Sequence, residues 1–84
     1  MVTIYTKTWC PYCMAAKDLL EQKGIAFKEV EITGKPELRD EMLAKANGRS
    51  TVPQVFIADR HVGGCDDLYA LDRKGELDKL LAVA

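Results

Sequence analysis

Apolar and polar positions along this chain follow two different periods. Val2-Thr3-Ile4-Tyr5 is a short β-branched and aromatic run and predicts a buried strand. From Pro11 the period lengthens. Ala15, Ala16, Leu19 and Leu20 recur at helical spacing, and Lys17 and Glu21 stand four apart on the polar face as an expected ion pair. Pro11 suits the first helical position, where a missing N–H costs nothing, and Gly24 suits the C-terminal end. Phe27 to Ile32 returns to period two, with Val30 and Ile32 alternating against Glu29 and Glu31, and reads as a second strand. Strand, helix and strand within about 30 residues form a βαβ unit, so these two strands should run parallel.

The second half repeats the alternation of periods in a shorter form. Pro36 opens a helix with Leu38, Met42 and Ala46 on one face, and Asn47-Gly48 ends it. Arg49 to Pro53 is a loop. Gln54 to Ala58 predicts a third strand, Asp59-Arg60 a turn, and His61 to Gly63 a short fourth strand. So little chain separates the last two strands that they must pair as an antiparallel hairpin. Cys65-Asp66-Asp67 suits a helix start, where acidic side chains meet the positive end of the dipole. Leu77, Leu80 and Leu81 share one face of a last helical stretch that should cover the sheet. The order β-α-β-α-β-β-α predicts an α/β fold: a four-stranded mixed sheet with helices on both faces.

Composition narrows the functional classes. At 84 residues, the chain is read as one domain spanning 1–84. A net charge of −1, with no basic run longer than Arg73-Lys74, gives no reason to expect nucleic acid as a partner. No stretch approaches the ~18 apolar residues of a membrane span, so no membrane role is expected. Met1-Val2-Thr3-Ile4-Tyr5 lacks the charged flank and long apolar run of a secretory signal, and a cytoplasmic location is the expectation.

The candidate chemistry lies in the cysteines. There are three, an odd number, and two of them stand together as Cys10-Pro11-Tyr12-Cys13. In a reducing compartment that spacing points to redox work or metal binding, not to a structural staple. Cys10 sits where the chain leaves a strand and enters a helix. Unpaired backbone N–H groups and the helix dipole favour negative charge there. Such positions lower a cysteine's pKa from about 8.5 to about 3.5–7.5, which makes the nucleophilic thiolate abundant at neutral pH. Lys7 stands three residues upstream as a further positive charge, and no acidic residue lies between Val2 and Lys17. Residues i and i+3 on a helix are near enough for a bridge to close and reopen across the half-helical first turn. Cys10 is therefore read as the attacking sulfur and Cys13, more buried, as the resolving one.

Two plainer readings stand beside this one. The pair could be core cysteines, but Pro and Tyr between them make a turn and not a core stretch. It could bind zinc, but a closed zinc site takes four ligands and the chain adds only Cys65 and His61. No metal site is expected. His61 is read as an exposed strand residue.

Trp9-Cys10-Pro11-Tyr12-Cys13 after a short strand, Thr51-Val52-Pro53, and Gly63-Gly64-Cys65-Asp66-Asp67-Leu68 together resemble the glutaredoxin family, in its order and spacing. The Cys-Pro-Tyr-Cys tetrapeptide is similar to the dithiol branch of that family. The resemblance implies a thioredoxin fold and glutathione as the reducing co-substrate, with no permanently bound cofactor. It implies a cis Pro53 that exposes the backbone N–H and C=O of Val52 beside Cys10 for the cysteinyl part of glutathione, with Thr51 in the same loop. It implies that Gly64 and the N–H groups of Cys65 and Asp66 receive the γ-glutamyl carboxylate, with Asp66 or Asp67 facing its ammonium. Helix capping is the plainer role for those acids, and the two roles are compatible. Lys7 and Arg39 are candidates for the glycyl carboxylate, and Tyr12 for the rim of the site. Trp9 is either a lip of the groove or part of the core. Cys65 is either a second acidic thiol or a residue whose backbone matters and whose sulfur does not, and the second reading is favoured.

The function so implied is glutathione-dependent reduction of glutathione mixed disulfides and protein disulfides by a monomer. Its partners are glutathione and glutathionylated or disulfide-containing proteins, ribonucleotide reductase among the candidates. The alternative is a carrier in which two chains and two glutathiones hold an iron–sulfur cluster through Cys10. Pro11 should stiffen the loop against that arrangement.

Overall fold

The computed structural model describes residues 1–83. Its elements are β1 (Val2–Thr6), α1 (Pro11–Gln22), β2 (Phe27–Glu31), α2 (Pro36–Lys45), β3 (Gln54–Ile57), β4 (Arg60–Gly63), α3 (Cys65–Arg73) and α4 (Leu77–Ala82). The strands form one mixed sheet in the order β2-β1-β3-β4. β1 runs parallel to β2 and antiparallel to β3, and β3 and β4 pair antiparallel as the expected hairpin. This is the thioredoxin-type arrangement that the resemblance implies.

Side-chain alternation along the central strands sets the layers. Val2 and Ile4 of β1 and Val55 and Ile57 of β3 face one side, where they pack with Ala16, Leu19 and Leu20 of α1, Leu68 of α3 and Leu77 of α4. Tyr5 of β1 and Phe56 of β3 face the other side and pack with Ile32, Met42 and Ala46, so α2 covers that face. The Tyr5 hydroxyl donates to Glu41 of α2 at 2.6 Å, and burial with that carboxylate pushes the phenol's pKa far up. Helices thus lie on both faces of the sheet.

The end of α1 shows why the first helix stops where it does. Gly24 adopts φ +70°. Its N–H donates to Glu21 O at 2.9 Å, and that of Ile25 donates to Leu20 O at 3.1 Å. These are the paired bonds of a glycine-terminated helix end, and they turn the chain toward β2.

Four expectations change. The last helical stretch is two helices, because Gly75 at φ +73° breaks the run and its N–H turns back to Asp72 O at 3.0 Å. The element order therefore ends α-α and not in a single helix. Lys17 pairs with Glu29 of β2 at 3.1 Å instead of with Glu21, since the tertiary neighbour is itself held by Thr6 at 2.7 Å. The β3–β4 turn falls at Ala58-Asp59, and Arg60 already belongs to β4. His61 is half-buried, stacked on Phe56 with ring centroids 5.0 Å apart, and not exposed. Among the described residues, no helix is long and apolar enough to cross a membrane.

Candidate active site

The segment between β1 and α1 is tied to the end of β2. The Thr8 N–H donates to Thr33 Oγ1 at 2.8 Å, and the Thr8 hydroxyl donates to Glu31 Oε1 at 3.0 Å. Trp9 then takes a left-handed φ of +59° and stands 94% exposed, so it is not part of the core, and it borders a hollow with Lys7, Lys17, Glu29 and Glu31. That turn delivers Cys10 to the start of α1.

Cys10 is the N-cap of α1, with extended backbone and Pro11 in the first helical position. Its sulfur accepts the backbone N–H of Cys13 at 3.0 Å, and its carbonyl accepts that of Met14 at 3.0 Å. One of the helix's unpaired N–H groups is thereby aimed at the sulfur. The first turn of α1 holds no acidic residue. Cys10 is half-buried while Cys13 is only 2% exposed, the order of burial expected from the sequence. The two are joined as a disulfide, with Cα atoms 5.1 Å apart.

The Thr51–Pro53 loop faces this pair. The Val52–Pro53 peptide is cis, as the resemblance implies. The Val52 carbonyl oxygen lies 3.9 Å from Cys10 Sγ. Among the described residues, neither the N–H nor the C=O of Val52 makes a backbone–backbone hydrogen bond. A hollow of about 150 Å³ opens beside the loop. Tyr12, Thr51, Val52 and Pro53 line it together with Arg49 and the Gly64–Asp67 start of α3.

The start of α3 is fastened by one carboxylate. Asp67 Oδ2 accepts the Gly64 N–H at 2.9 Å and pairs with Arg49 at 3.1 Å. The Gly64 N–H first, and then the Arg49 guanidinium, hold the Asp67 carboxyl below its ordinary pKa. Gly63 precedes this cap at φ +118°, where a Cβ would overlap the Asp67 carboxylate and come within 2.8 Å of Arg49. Asp66 is exposed in the same turn. Cys65 is 8% exposed, and burial, with Asp66 adding to it, pushes its thiol upward. Nothing there makes Cys65 a second acidic thiol.

Most of the expected residues therefore meet around one hollow. Lys7 and Arg39 do not: both are exposed and border a different hollow, with Gly34, Lys35 and Pro36. Arg49 joins the site without having been singled out from the sequence. The available signal was its place just ahead of Thr51-Val52-Pro53, as the one cation in that loop. Among the described residues, no group of three or more His, Cys, Asp or Glu side chains is gathered as a metal site would require.

Comparison with known proteins agrees with this geometry. The family model described as Glutaredoxin matches residues 2–62. Over 82 residues the chain is 59% identical to the glutaredoxin of Pseudomonas aeruginosa, covering 98% of this chain and 96% of that protein. It is also 59% identical over 80 residues to Glutaredoxin 3 of Escherichia coli K12, covering 95% of each. Among solved structures, the crystal structure of a buckwheat glutaredoxin–glutathione complex matches with a TM-score of 0.88 at 32% identity, covering 96% of this chain and 76% of that one. With its fold, its cysteine pair and these relatives in agreement, the chain belongs to the glutaredoxin family.

Proposed function

We propose that this protein is a glutathione-dependent disulfide oxidoreductase that reduces glutathione mixed disulfides and protein disulfides through the Cys10 thiolate. The observation that carries this reading is the Cys13 N–H donated to the Cys10 sulfur at 3.0 Å, at a helix start free of acidic residues. A negative sulfur gains a hydrogen bond and a favourable dipole there.

In the first step the Cys10 thiolate attacks the glutathionyl sulfur of a mixed disulfide. The substrate's sulfur leaves as a thiolate and takes a proton from water, and Cys10 carries glutathione. A second glutathione thiolate then attacks the bound glutathionyl sulfur, which releases oxidised glutathione and restores Cys10. With a protein disulfide, Cys10 attacks first. Cys13 then displaces the reduced product and leaves the Cys10–Cys13 bridge, which two glutathiones reopen. Glutaredoxin potentials of about −200 to −230 mV lie close to the glutathione poise, so the couple runs in either direction. The sulfurs do the chemistry without a resident metal or flavin.

The hollow supplies a fitting seat for glutathione. The N–H and C=O of Val52, which make no backbone–backbone hydrogen bond, would pair with its cysteinyl backbone, as an added strand does, with Thr51, Pro53 and Tyr12 shaping the walls. The N–H groups of Cys65 and Asp66 beside Gly64 would receive the γ-glutamyl carboxylate at the positive end of α3. Asp67 is engaged with Gly64 and Arg49, so Asp66 is the acid for the ammonium. Lys7 and Arg39 would meet the glycyl carboxylate only from the neighbouring hollow. The relative solved with glutathione supports the choice of co-substrate. In this reading the chain works as one domain and as a monomer in the reducing cytoplasm. Its substrates there are glutathionylated and disulfide-containing proteins, with ribonucleotide reductase a candidate.

A small glutathione mixed disulfide incubated with glutathione and catalytic protein tests the proposal. The expected result is release of oxidised glutathione at a rate proportional to the protein added. A rate equal to the protein-free reaction would overturn it.

A further inference from the structure

The mechanism leaves one buried polar chain unused. Gln54 is fully buried at the start of β3, directly after Pro53. Its Nε2 donates to Thr51 O at 2.9 Å and lies 3.2 Å from Thr51 Oγ1. A carbonyl can only accept, so this contact fixes the amide with its oxygen turned away from Thr51. That oxygen, Oε1, lies 2.7 Å from His61 Nε2 across the β3–β4 hairpin. It needs a donor, so His61 must carry its proton on Nε2.

The imidazole has one further contact. It stacks on Phe56 at 5.0 Å with 30° between the planes. Burial first, and then the Arg49 cation, lower its pKa, while Asp67, paired with Arg49 at 3.1 Å, acts the other way. A neutral ring held this way presents one N–H in one direction.

We infer that His61 and Gln54 are positioning residues which hold the Thr51–Val52–Pro53 loop at its distance from Cys10 and so set the affinity for the glutathionyl substrate. The inference deepens the proposed function and rests on it. The chain of contacts runs His61 Nε2–H to Gln54 Oε1, then Gln54 Nε2–H to Thr51 O. The next residue along is Val52, whose carbonyl lies 3.9 Å from the attacking sulfur. Neither side chain lines the hollow itself. Without the His61 N–H, Gln54 Oε1 is left buried and unpaired, and the amide must turn to find another donor. That turn releases Thr51. The nearer partner of the Cys10 sulfur, the N–H of Cys13 at 3.0 Å, belongs to its own helix and lies outside the relay.

The test compares His61→Phe, which keeps the stacked ring and loses the N–H, with His61→Gln, whose amide N–H reaches about as far as Nε2. With the small glutathione mixed disulfide, His61→Phe should raise KM about fivefold while kcat stays within about twofold, the effect of one hydrogen bond acting on binding alone. His61→Gln should return KM to within about twofold of the wild type. A variant that is merely less stable would lose kcat through its inactive fraction and leave KM alone. An unchanged KM in His61→Phe, or a KM in His61→Gln as high as in His61→Phe, would overturn the inference. Nitrogen NMR of the wild-type imidazole at neutral pH decides the case if His61→Phe does not fold. The Nε2–H tautomer supports the relay and the Nδ1–H tautomer overturns it. Absence of turnover by the wild type would overturn the proposed function, while the tautomer, read without substrate, would still decide the relay.

Discussion

The backbone N–H of Cys13 donates to the sulfur of Cys10 at 3.0 Å, in the same turn that holds the two Cα atoms 5.1 Å apart. One piece of local geometry therefore serves two chemical states. In the reduced state it would give a Cys10 thiolate, the proposed attacking group, a hydrogen-bond donor. The Cα separation lies within the range a disulfide needs, so Cys13, the proposed resolving sulfur, would close the bridge without moving the helix.

The proposed roles of the two sulfurs should separate by mutation. Cys10→Ser should reduce turnover of both glutathione mixed disulfides and protein disulfides to the uncatalysed rate. Cys13→Ser should keep the first activity within roughly tenfold of wild type and lose the second, because only the protein-disulfide route needs an intramolecular resolving thiol. Parallel assays on a small mixed disulfide and on a disulfide-bonded protein check this.

Much of the fold was legible because its signals are local. The period of Val2–Tyr5, the helical spacing of Ala15 and Ala16 with Leu19 and Leu20, Pro11 at a helix start and Gly24 at its end are properties of neighbouring residues. What escaped involves partners distant in the chain. Lys17 had a good partner four residues on in Glu21, but the sheet edge offered Glu29, already oriented by buried Thr6. His61 reads as an exposed strand residue until β3 is known to place Phe56 against its ring and Gln54 against its nitrogen. Arg49 gains its meaning from Asp67, eighteen residues later. The cysteine pair needed no such knowledge, since its spacing and its helix start are both written in four residues.

Two left-handed glycines should respond differently to an added methyl group. Gly24 has open space around the position of a Cβ, so Gly24→Ala costs only the backbone conformation, about 1 kcal/mol, and leaves turnover unchanged. At Gly63 the methyl would meet Asp67 and Arg49, so Gly63→Ala should cost about 1–3 kcal/mol and also lower turnover. Urea denaturation and the mixed-disulfide assay on both variants measure the contrast.

The α3 cap predicts a pH dependence of stability. Asp67 has a folded-state pKa below its unfolded one, so its stabilisation is fully present above the unfolded value, near 3.9, and is lost as pH falls through the folded value. Asp67→Ala should therefore destabilise the protein by about 1 kcal/mol at neutral pH, as the loss of an N-terminal cap does. The gap from wild type should stay constant down to about pH 4 and narrow below it. Denaturation curves at pH 7, 5 and 3 follow it.

The proposed catalysis turns on the charge of one sulfur. The direct measurement is the rate of alkylation of the fully reduced protein by iodoacetamide across pH, with the labelled residue identified by mass. The predicted result is a label on Cys10, with Cys65 left unmodified at neutral pH, and a rate midpoint at least about one pH unit below the ~8.5 of free cysteine. A Cys10 midpoint at or above the free-cysteine value would contradict the account.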